Sequence, residues 1–334
     1  METIYFLGID ISKKKFDAAL TLDGKTFHEA QIENAPSTIQ LFFRDLKKQI
    51  SSLNRVIVCL EHTGIYGFPL LDFLVKNQIK VIVEPALQIK QSQGMIRGKN
   101  DQVDAKRIAT YAFKNRENLR FWQPQRHCIQ QLKALLILRE RMVKMKVQLE
   151  VPINESEDFV GSSILKQTIG NCQKTLRALQ SDIQRIEKEI EALVSNDDQL
   201  SQQCKLATSV PGVGKITALN IIISTQEFSK IQEAKKFACY AGVAPFEHTS
   251  GSSIRGRTRV SKMANMTLKK LLHLAAMAAI RCNDELKMFY QRKVAAGKNK
   301  MSVLNAVRNK LISRIFACIK NNHMYEKIYK HTLA

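Results

Sequence analysis

Short apolar runs alternate with polar turns through the first hundred residues of the chain. The strand-like runs lie at residues 3–10, 15–22, 26–32, 55–60 and 79–84. Helical patterns lie at residues 36–50 and 66–77, and another helix begins near Asp101. Asp23-Gly24 is a typical hairpin turn between the second and third runs. This β-β-β-α-β-α-β-α order predicts an α/β RNase H-like domain, in which parallel strands extend an antiparallel hairpin sheet.

From Ile129 onward the pattern becomes helical, and its second stretch carries a heptad seam. The first stripe includes Leu135 and Met142, and Pro152 is expected to end that helix. The seam alternates steps of four and three through Leu165, Ile169, Cys172, Leu176, Leu179, Ile183, Ile186, Ile190 and Leu193. Such spacing predicts an α-helical coiled-coil insertion at residues 126–203, which pairs either within the chain or with another subunit.

The remaining residues, 204–334, are expected to form a mainly α-helical domain. A glycine-containing turn at 211–215 precedes an apolar helix at 216–223, and a polar segment at 247–258 is predicted to be a loop. The turn resembles a helix-hairpin-helix loop, whose backbone amides, with Lys215, would bind a DNA phosphate. A Walker A loop is excluded, because its first glycine is missing and Ile216 stands where that motif needs Ser or Thr.

Charge indicates the kind of partner. Lys and Arg number 52 against 30 Asp and Glu, which gives a formal charge of +22. From Gly251 to the end there are 18 basic residues and three acidic ones. We therefore expect a polyanion as the partner, with nucleic acid as the leading candidate and a merely solvated basic face as the alternative. The start of the chain has no leader pattern, and no apolar span is present, so we expect a cytoplasmic protein without a membrane partner.

Four acidic residues are candidates for a metal site. Asp10 and Glu61 each end an apolar run, and those runs are neighbours in an RNase H-like sheet. Asp101 and Asp104 are three residues apart at a helix start, so both can face one point. Each alone is a common capping residue, but four converging carboxylates need cations. We expect Mg²⁺ or Mn²⁺, which would promote phosphodiester chemistry.

Several ordered motifs resemble a known family. They are G-I-D-I-S-K (8–13), L-E-H-T-G (60–64), K-N-D-Q-V-D-A (99–105), P-G-V-G-K-I-T-A (211–218), Y-A-G-V-A-P-F-E-H-T-S-G (240–251) and S-K-M-A-N (261–265). Together they are similar to the DEDD transposases of the IS110 insertion-sequence family, whose relatives include the Piv-type DNA invertases.

The resemblance implies three parts: a RuvC-like DEDD domain at 1–125, a coiled-coil connector at 126–203 and a C-terminal transposase domain at 204–334. It also implies a nucleophilic serine, which matches Ser250, and an oligomer such as a dimer or tetramer. Thr249, Ser252 and Ser253 lie close enough to compete for that role. The implied partners are double-stranded DNA, as donor and target, and a structured guide RNA (bridge RNA) that the mobile element encodes.

Basic residues after the serine are candidates for DNA contact. Arg255, Arg257, Arg259 and Lys262 could clamp the scissile phosphate or bind the backbone without specificity. Family members commonly have Lys-Gly-Asn followed by an arginine, whereas this chain has Lys262-Met263-Ala264-Asn265 and then Lys269 and Lys270. Lysine keeps the charge and loses the bidentate fork to phosphate.

Three other functions fit parts of the pattern. A RuvC-like junction endonuclease would use the same carboxylates with water and no serine. An actin-like sugar kinase shares the Gly8-Ile9-Asp10 opening, but its duplicated domain and second phosphate loop are missing. A non-catalytic nucleic-acid scaffold would tolerate the loss of Asp10 and Glu61.

Overall fold

A computed structural model describes residues 4–62, 64–92, 101–156, 158–250, 254–260 and 264–327. At residues 101–102, 246–250 and 254–259 the description covers the backbone only. The chain forms two compact units, Met1–Pro124 and Gln125–Ala334. The expected division into three parts, with a separate connector at 126–203, stays a prediction.

The first unit is built on a five-stranded mixed sheet. Its strands are β1 (Tyr5–Ile11), β2 (Lys15–Thr21), β3 (His28–Glu33), β4 (Val56–Glu61) and β5 (Lys80–Glu84). Their order across the sheet is β3-β2-β1-β4-β5. The first three strands pair antiparallel, and β4 and β5 run parallel to β1. This is the sheet that the sequence pattern predicted for an RNase H-like domain.

Helices cover both faces of this sheet. They are α1 (Pro36–Ile50), α2 (Phe68–Lys76), α3 (Ala86–Gln91) and α4 (Asp101–Lys114). Successive strand residues point to opposite faces, so Leu7 and Ile9 pack in one core with α1 and α2, while Phe6 and Cys59 pack in the other with α4. The sequence pattern did not predict α3.

The second unit begins with a helical hairpin. It consists of α5 (His127–Glu155) and α6 (Ser162–Ser195), which contact each other within the chain. The seam is buried at Leu179, Ile183, Ile186 and Ile190, and it is only partly covered at Leu193 and from Leu165 to Leu176. The expectation that Pro152 ends the first helix is wrong: the helix continues to Glu155. Pro152 lies in the last turn, where the single backbone bond that it lacks is a small loss for a long helix.

Further helices pack around the base of this hairpin. They are α7 (Asp198–Thr208), α8 (Lys215–Thr225), α9 (Ala234–Tyr240), α10 (Met266–Cys282), α11 (Asp284–Ala295) and α12 (Lys300–Asn321). One core joins them to the hairpin through residues such as Leu132, Ile190, Leu219, Ala276 and Ile312. The base of the hairpin is therefore part of the second unit's core.

The polar segment predicted as a loop forms a hairpin instead. Strands β6 (Pro245–Ser250) and β7 (Ile254–Val260) pair antiparallel, with Ser250 aligned to Ile254. The loop prediction relied on polarity. The β-branched residues in this segment, which include Thr249 and Thr258, favour a strand despite that polarity.

An ion-pair network fixes the start of α5. Arg126 donates to both carboxylate oxygens of Asp197, at 2.7 and 3.1 Å, and to Glu227 at 3.0 Å. Hydrogen bonds from Arg126 to the two acids raise its pKa further above its usual value. The network ties the start of α5 to the start of α7 and to the turn after α8.

Within the described ranges, none of the helices has an apolar stretch of the length needed to cross a bilayer.

Candidate active site

Two of the acidic residues expected to bind metal lie side by side at the end of the sheet. Strands β1 and β4 are parallel, with Ile9 aligned to Leu60. The next residues are Asp10, the last but one of β1, and Glu61, the last of β4. They therefore lie at the ends of adjacent strands, which are about 4.8 Å apart. Both side chains are partly buried. By alternation both belong to the face that α4 covers.

Gly8 explains how α4 comes so close to this strand end. A Cβ built on Gly8 would lie 2.2 Å from the Ala105 carbonyl oxygen and 2.2 Å from the Ala109 nitrogen. Only glycine permits this contact between strand and helix backbones. The first turn of α4, which carries Asp104, is thereby held beside the end of β1.

The two acids on α4 are described to different extents. Asp104 is partly buried and accepts a hydrogen bond of 2.6 Å from Arg107, one turn along the helix. Asp101 is the first residue of α4, and its side chain lies outside the described part of the structure. The structure thus brings Asp10, Glu61 and the first turn of α4 to one end of the sheet.

Two further acids share this face, and neither was singled out from the sequence. Asp17 pairs directly with Asp10 across β1 and β2, and Glu84 pairs with Glu61 across β4 and β5. Asp17 is 3% exposed. Its carboxylate accepts a hydrogen bond of 2.8 Å from Gln31 and lies 3.4 Å from the Lys15 ammonium. The hairpin register, counted back from its turn, would have revealed Asp17.

Glu84 belongs to a small polar network with α4. Tyr111 lies seven residues after Asp104 on the same helix, and its hydroxyl accepts a hydrogen bond of 2.9 Å from Gln88. Burial, with a smaller effect from Glu84, raises the pKa of Tyr111. Burial also raises the pKa of Cys59, again with Glu84 adding to the effect. These contacts help to fix the rotation of α4 on the sheet.

Asn34 joins the two loops that follow the acidic strand ends. Its Nδ2 donates a hydrogen bond of 3.1 Å to the carbonyl of Ser12, which follows β1, and one of 3.0 Å to the carbonyl of Tyr66, in the segment after β4. Its Oδ1 is buried without a hydrogen-bond partner in the described structure. Asn34 therefore keeps the loops beyond Asp10 and Glu61 together, a role that no sequence motif signalled.

The chemistry of these side chains fits a divalent cation. Carboxylate oxygens are the ligands that Mg²⁺ and Mn²⁺ prefer, and the first turn of α4 brings Asp104 to the same end of the sheet as the pair. Among the described side chains, no three acidic, histidine or cysteine groups are close enough to hold an ion. The side chain of Asp101 lies outside that search.

Ser250, the expected nucleophile, is the last residue of β6. Its side chain and those of Thr249, Arg255, Arg257 and Arg259 lie outside the described part of the structure, although their backbone is described. Ser252, Ser253 and Lys262 lie outside the described residues altogether. The acids belong to the first unit and Ser250 to the second, so their meeting stays a prediction.

The turn at 211–215 packs closely against α10. Gly212 has a φ of 85°, and a Cβ there would lie 2.5 Å from the Ala279 nitrogen on α10. Lys215 opens α8 and pairs with Glu191 at 2.8 Å, which lowers the pKa of that carboxyl. A DNA phosphate would have to replace Glu191 as the partner of Lys215.

Two other predicted DNA contacts lie at the start of α10. Lys269 is partly exposed and Lys270 is exposed. Asn265 caps the helix by accepting 3.1 Å from the Leu268 nitrogen. Both lysines therefore lie near the capped start of α10.

Comparison with known proteins relates this geometry to a family. A DEDD transposase model of the IS110 type, described as "Transposase", matches residues 7–155. A second model, described as "Transposase IS116/IS110/IS902 family", matches residues 204–291. The first match includes all four predicted metal ligands, and the second includes Ser250 and the basic residues after it.

Two relatives match over most of their length. The chain is 27% identical over 329 residues to the pilin gene-inverting protein of Moraxella bovis, which covers 96% of this chain and 98% of that protein. It is 25% identical over 307 residues to the transposase for insertion sequence element IS1111A of Coxiella burnetii, and that alignment covers 84% of this chain and 79% of the transposase. The structure of T. thermophilus RuvC with a Holliday junction substrate aligns with 36% of this chain and 99% of that one, at 14% identity and a TM-score of 0.29.

These matches define the class of protein: a DNA transposase or recombinase, an enzyme that acts on DNA. The chain belongs to the IS110 family of DEDD transposases, and the pilin gene-inverting proteins are among its relatives. Divalent metal use follows from this class, and the particular ligands are a proposal.

Proposed function

We propose that this protein cuts and rejoins DNA through a covalent serine-phosphate intermediate formed by Ser250. The observation that carries the proposal is the pair Asp10 and Glu61 at adjacent strand ends beneath α4, in a chain of this family. Asp101 and Asp104 would complete the acidic site. When bound, Mg²⁺ or Mn²⁺ would neutralise the phosphate charge and stabilise the leaving oxygen.

The proposed step conserves the phosphodiester energy. The Ser250 Oγ forms a bond to phosphorus while the bond from phosphorus to a sugar oxygen breaks. The hydroxyl proton of the serine goes to a nearby base, and the released sugar oxygen takes up a proton. The reverse attack by a DNA hydroxyl on the serine ester rejoins the strand without an external energy source.

Resemblance and charge support the choice of nucleic-acid partners. We propose donor and target duplexes as substrates, bound through Lys215, Arg255, Arg257, Arg259, Lys262, Lys269 and Lys270. The full-length likeness to a pilin gene-inverting protein favours site-specific inversion as the outcome, and the likeness to an insertion-sequence transposase favours transposition. A structured guide RNA would select the sites, as the family resemblance implies.

The experiment is a search for a covalent adduct. Purified protein is incubated with Mg²⁺, end-labelled DNA from the element's junction and any flanking non-coding transcript, and then resolved on a denaturing gel. We expect a protein-DNA adduct that is lost in Ser250→Ala and retained in Thr249→Val. Asp10→Asn should lose the adduct too, because the phosphate charge is no longer neutralised. An adduct that persists in Ser250→Ala would refute the assignment.

A junction endonuclease is the alternative, and the same acidic strand ends support it. Such an enzyme would cut with water, so Ser250→Ala would still cut and no variant would form an adduct. Loss of cutting in Asp10→Asn alone would favour this reading.

We also propose that the protein works as an oligomer, joined through the helical hairpin. The support is the seam between Leu165 and Leu176, which the chain's own helices cover only in part. A second subunit could bury those positions and deliver its serine to the acids of the first.

A further inference from the structure

Arg308 on α12 is a buried charge that has no acidic partner among the described side chains. Its side chain belongs to a residue that is only 6% exposed. No ion pair joins it to any of the residues that the structure describes. Arg314, six residues further along the same helix, makes two hydrogen bonds of 2.7 Å to the carboxylate of Glu285. The two arginines therefore differ sharply in how their charges are balanced.

The contacts that Arg308 does make are with neutral groups. One terminal nitrogen lies 2.6 Å from His273 Nδ1, and the other lies 3.4 Å from the Asn305 amide oxygen. The Nε is buried and has no hydrogen-bond partner in the described structure. Burial lowers the pKa of Arg308, because the charged form loses its hydration. A buried cation in neutral surroundings is costly and gains most from an anion.

The arginine also fixes the tautomer of His273. Arginine has only donors, so His273 Nδ1 must accept the hydrogen bond. The ring proton then resides on Nε2, which becomes a donor. Burial, with a smaller effect from Arg308, lowers the pKa of His273 and keeps the ring neutral. The residue is partly exposed, so the pair combines a buried positive charge with a neutral donor on a partly exposed residue.

This pair lies next to the segment that leads to the proposed nucleophile. Asn305, one turn before Arg308, donates a hydrogen bond of 2.6 Å to the Val243 carbonyl. Val243 lies two residues before β6, the strand that ends at Ser250. Lys269 and Lys270 lie one turn before His273 on α10. A polyanion that binds this surface would therefore lie close both to His273 and Arg308 and to the start of the β6–β7 hairpin.

We propose that His273 and Arg308 form a binding site for a phosphate oxygen, supplied by the DNA backbone, with His273 Nε2 as the donor and Arg308 as the buried charge. The choice of DNA as the source rests on the proposed function. The oxyanion site itself does not depend on Ser250 being the nucleophile. Its role is to anchor the DNA strand beside the β6–β7 hairpin.

A structural role for Arg308 makes the opposite prediction about stability. If the arginine only supported the fold, an apolar replacement would weaken it. If the arginine awaits an anion, Arg308→Met removes an unbalanced buried charge and keeps the bulk, so the free protein should be as stable or more stable. DNA binding should weaken about tenfold, because the positive charge behind His273 is lost and Nε2 is no longer fixed as the donor to the phosphate. Arg314→Met is the matched control and should lose stability without loss of DNA affinity.

A pair of substitutions at His273 isolates the donor. Glutamine places an amide N–H near the position of Nε2, whereas asparagine offers an acceptor near Nδ1 and leaves the Nε2 position empty. We expect His273→Gln to bind duplex DNA within about twofold of wild type and His273→Asn to bind about tenfold more weakly. Binding is measured without Mg²⁺, so that the result does not depend on strand cleavage.

A second arm uses inorganic phosphate as the probe and measures thermal unfolding at constant ionic strength, with chloride as the reference. Wild type and His273→Gln should be stabilised by phosphate, and His273→Asn should not. Loss of DNA affinity together with loss of this stabilisation supports the proposal. Loss of the phosphate effect with unchanged DNA affinity would overturn the assignment to DNA. Unchanged behaviour of His273→Asn and Arg308→Met in both arms would overturn the site itself.

Discussion

Replacing Gly8 with alanine would place a methyl group inside the backbone of α4. The added Cβ would lie 2.2 Å from the Ala105 oxygen, 2.2 Å from the Ala109 nitrogen and 2.8 Å from the Ala109 Cα. These are backbone atoms, so no side chain can rotate away to make room. Ordinary contact begins at 3.4 Å, so the helix must retreat by about 1.2 Å.

Two effects follow from a displacement of that size. Overpacking of a well-packed core costs about 1–3 kcal/mol, which urea unfolding followed by circular dichroism would measure. The first turn of α4 carries Asp104 and Asp101 away from the strand ends, and a misplacement near 1 Å lowers rates about a hundredfold. Adduct formation with DNA and Mg²⁺ would measure that loss.

Gly170→Ala is the matched control. Gly170 lies within α6, and a Cβ there meets nothing within 4 Å. Alanine should stabilise that helix by about 0.5–1 kcal/mol and leave the rate unchanged. A Gly8→Ala protein with wild-type stability and a wild-type rate would refute the close packing of α4 on β1.

Two other predictions concern the second unit. In Arg126→Met, we expect the free energy of unfolding to fall by about 1 kcal/mol at neutral pH, because the ion pairs with Asp197 and Glu227 are partly exposed. The hydrogen bond from Arg126 lowers the pKa of Asp197 below its usual value of 3.8. A depressed carboxyl pKa stabilises the fold above the unfolded-state pKa, and this contribution disappears as the pH falls through the folded-state pKa. The difference between wild type and variant in urea titrations should therefore shrink below about pH 4, and an equal difference at low and neutral pH would contradict the network. In the double variant Ile169→Glu and Leu176→Glu, we expect the oligomer mass by light scattering to decrease, whereas an unchanged mass would mean that the hairpin does not join subunits.

The strand pattern was predictable because each strand of the first unit is short, apolar and bounded by polar turns. Residues 36–50 were predicted to be a helix, and α1 has those same bounds. The same reading placed Asp10 and Glu61 at the ends of neighbouring strands. The local sequence pattern was sufficient to place these two acids, because the ends of strands follow from the apolar runs and the pairing of strands follows from the order of the elements.

Other features depend on contacts that no local pattern encodes. The closeness of Gly8 to α4 depends on which helix packs on β1, and the glycine alone is compatible with many strands. Asn34 ties two loops that are far apart in sequence. The absence of an acidic partner for Arg308 among the described side chains becomes informative only when the burial of Arg308 is known. The β6–β7 hairpin was missed because polar strands resemble loops when polarity is weighed above β-branching.

The most direct test of the serine mechanism is mass spectrometry of the covalent adduct after digestion of both the DNA and the protein. The account predicts a nucleotide attached to the peptide that contains Ser250, with fragmentation placing it on that residue. A nucleotide on any other residue, or cleaved DNA ends with no attached peptide, would contradict it.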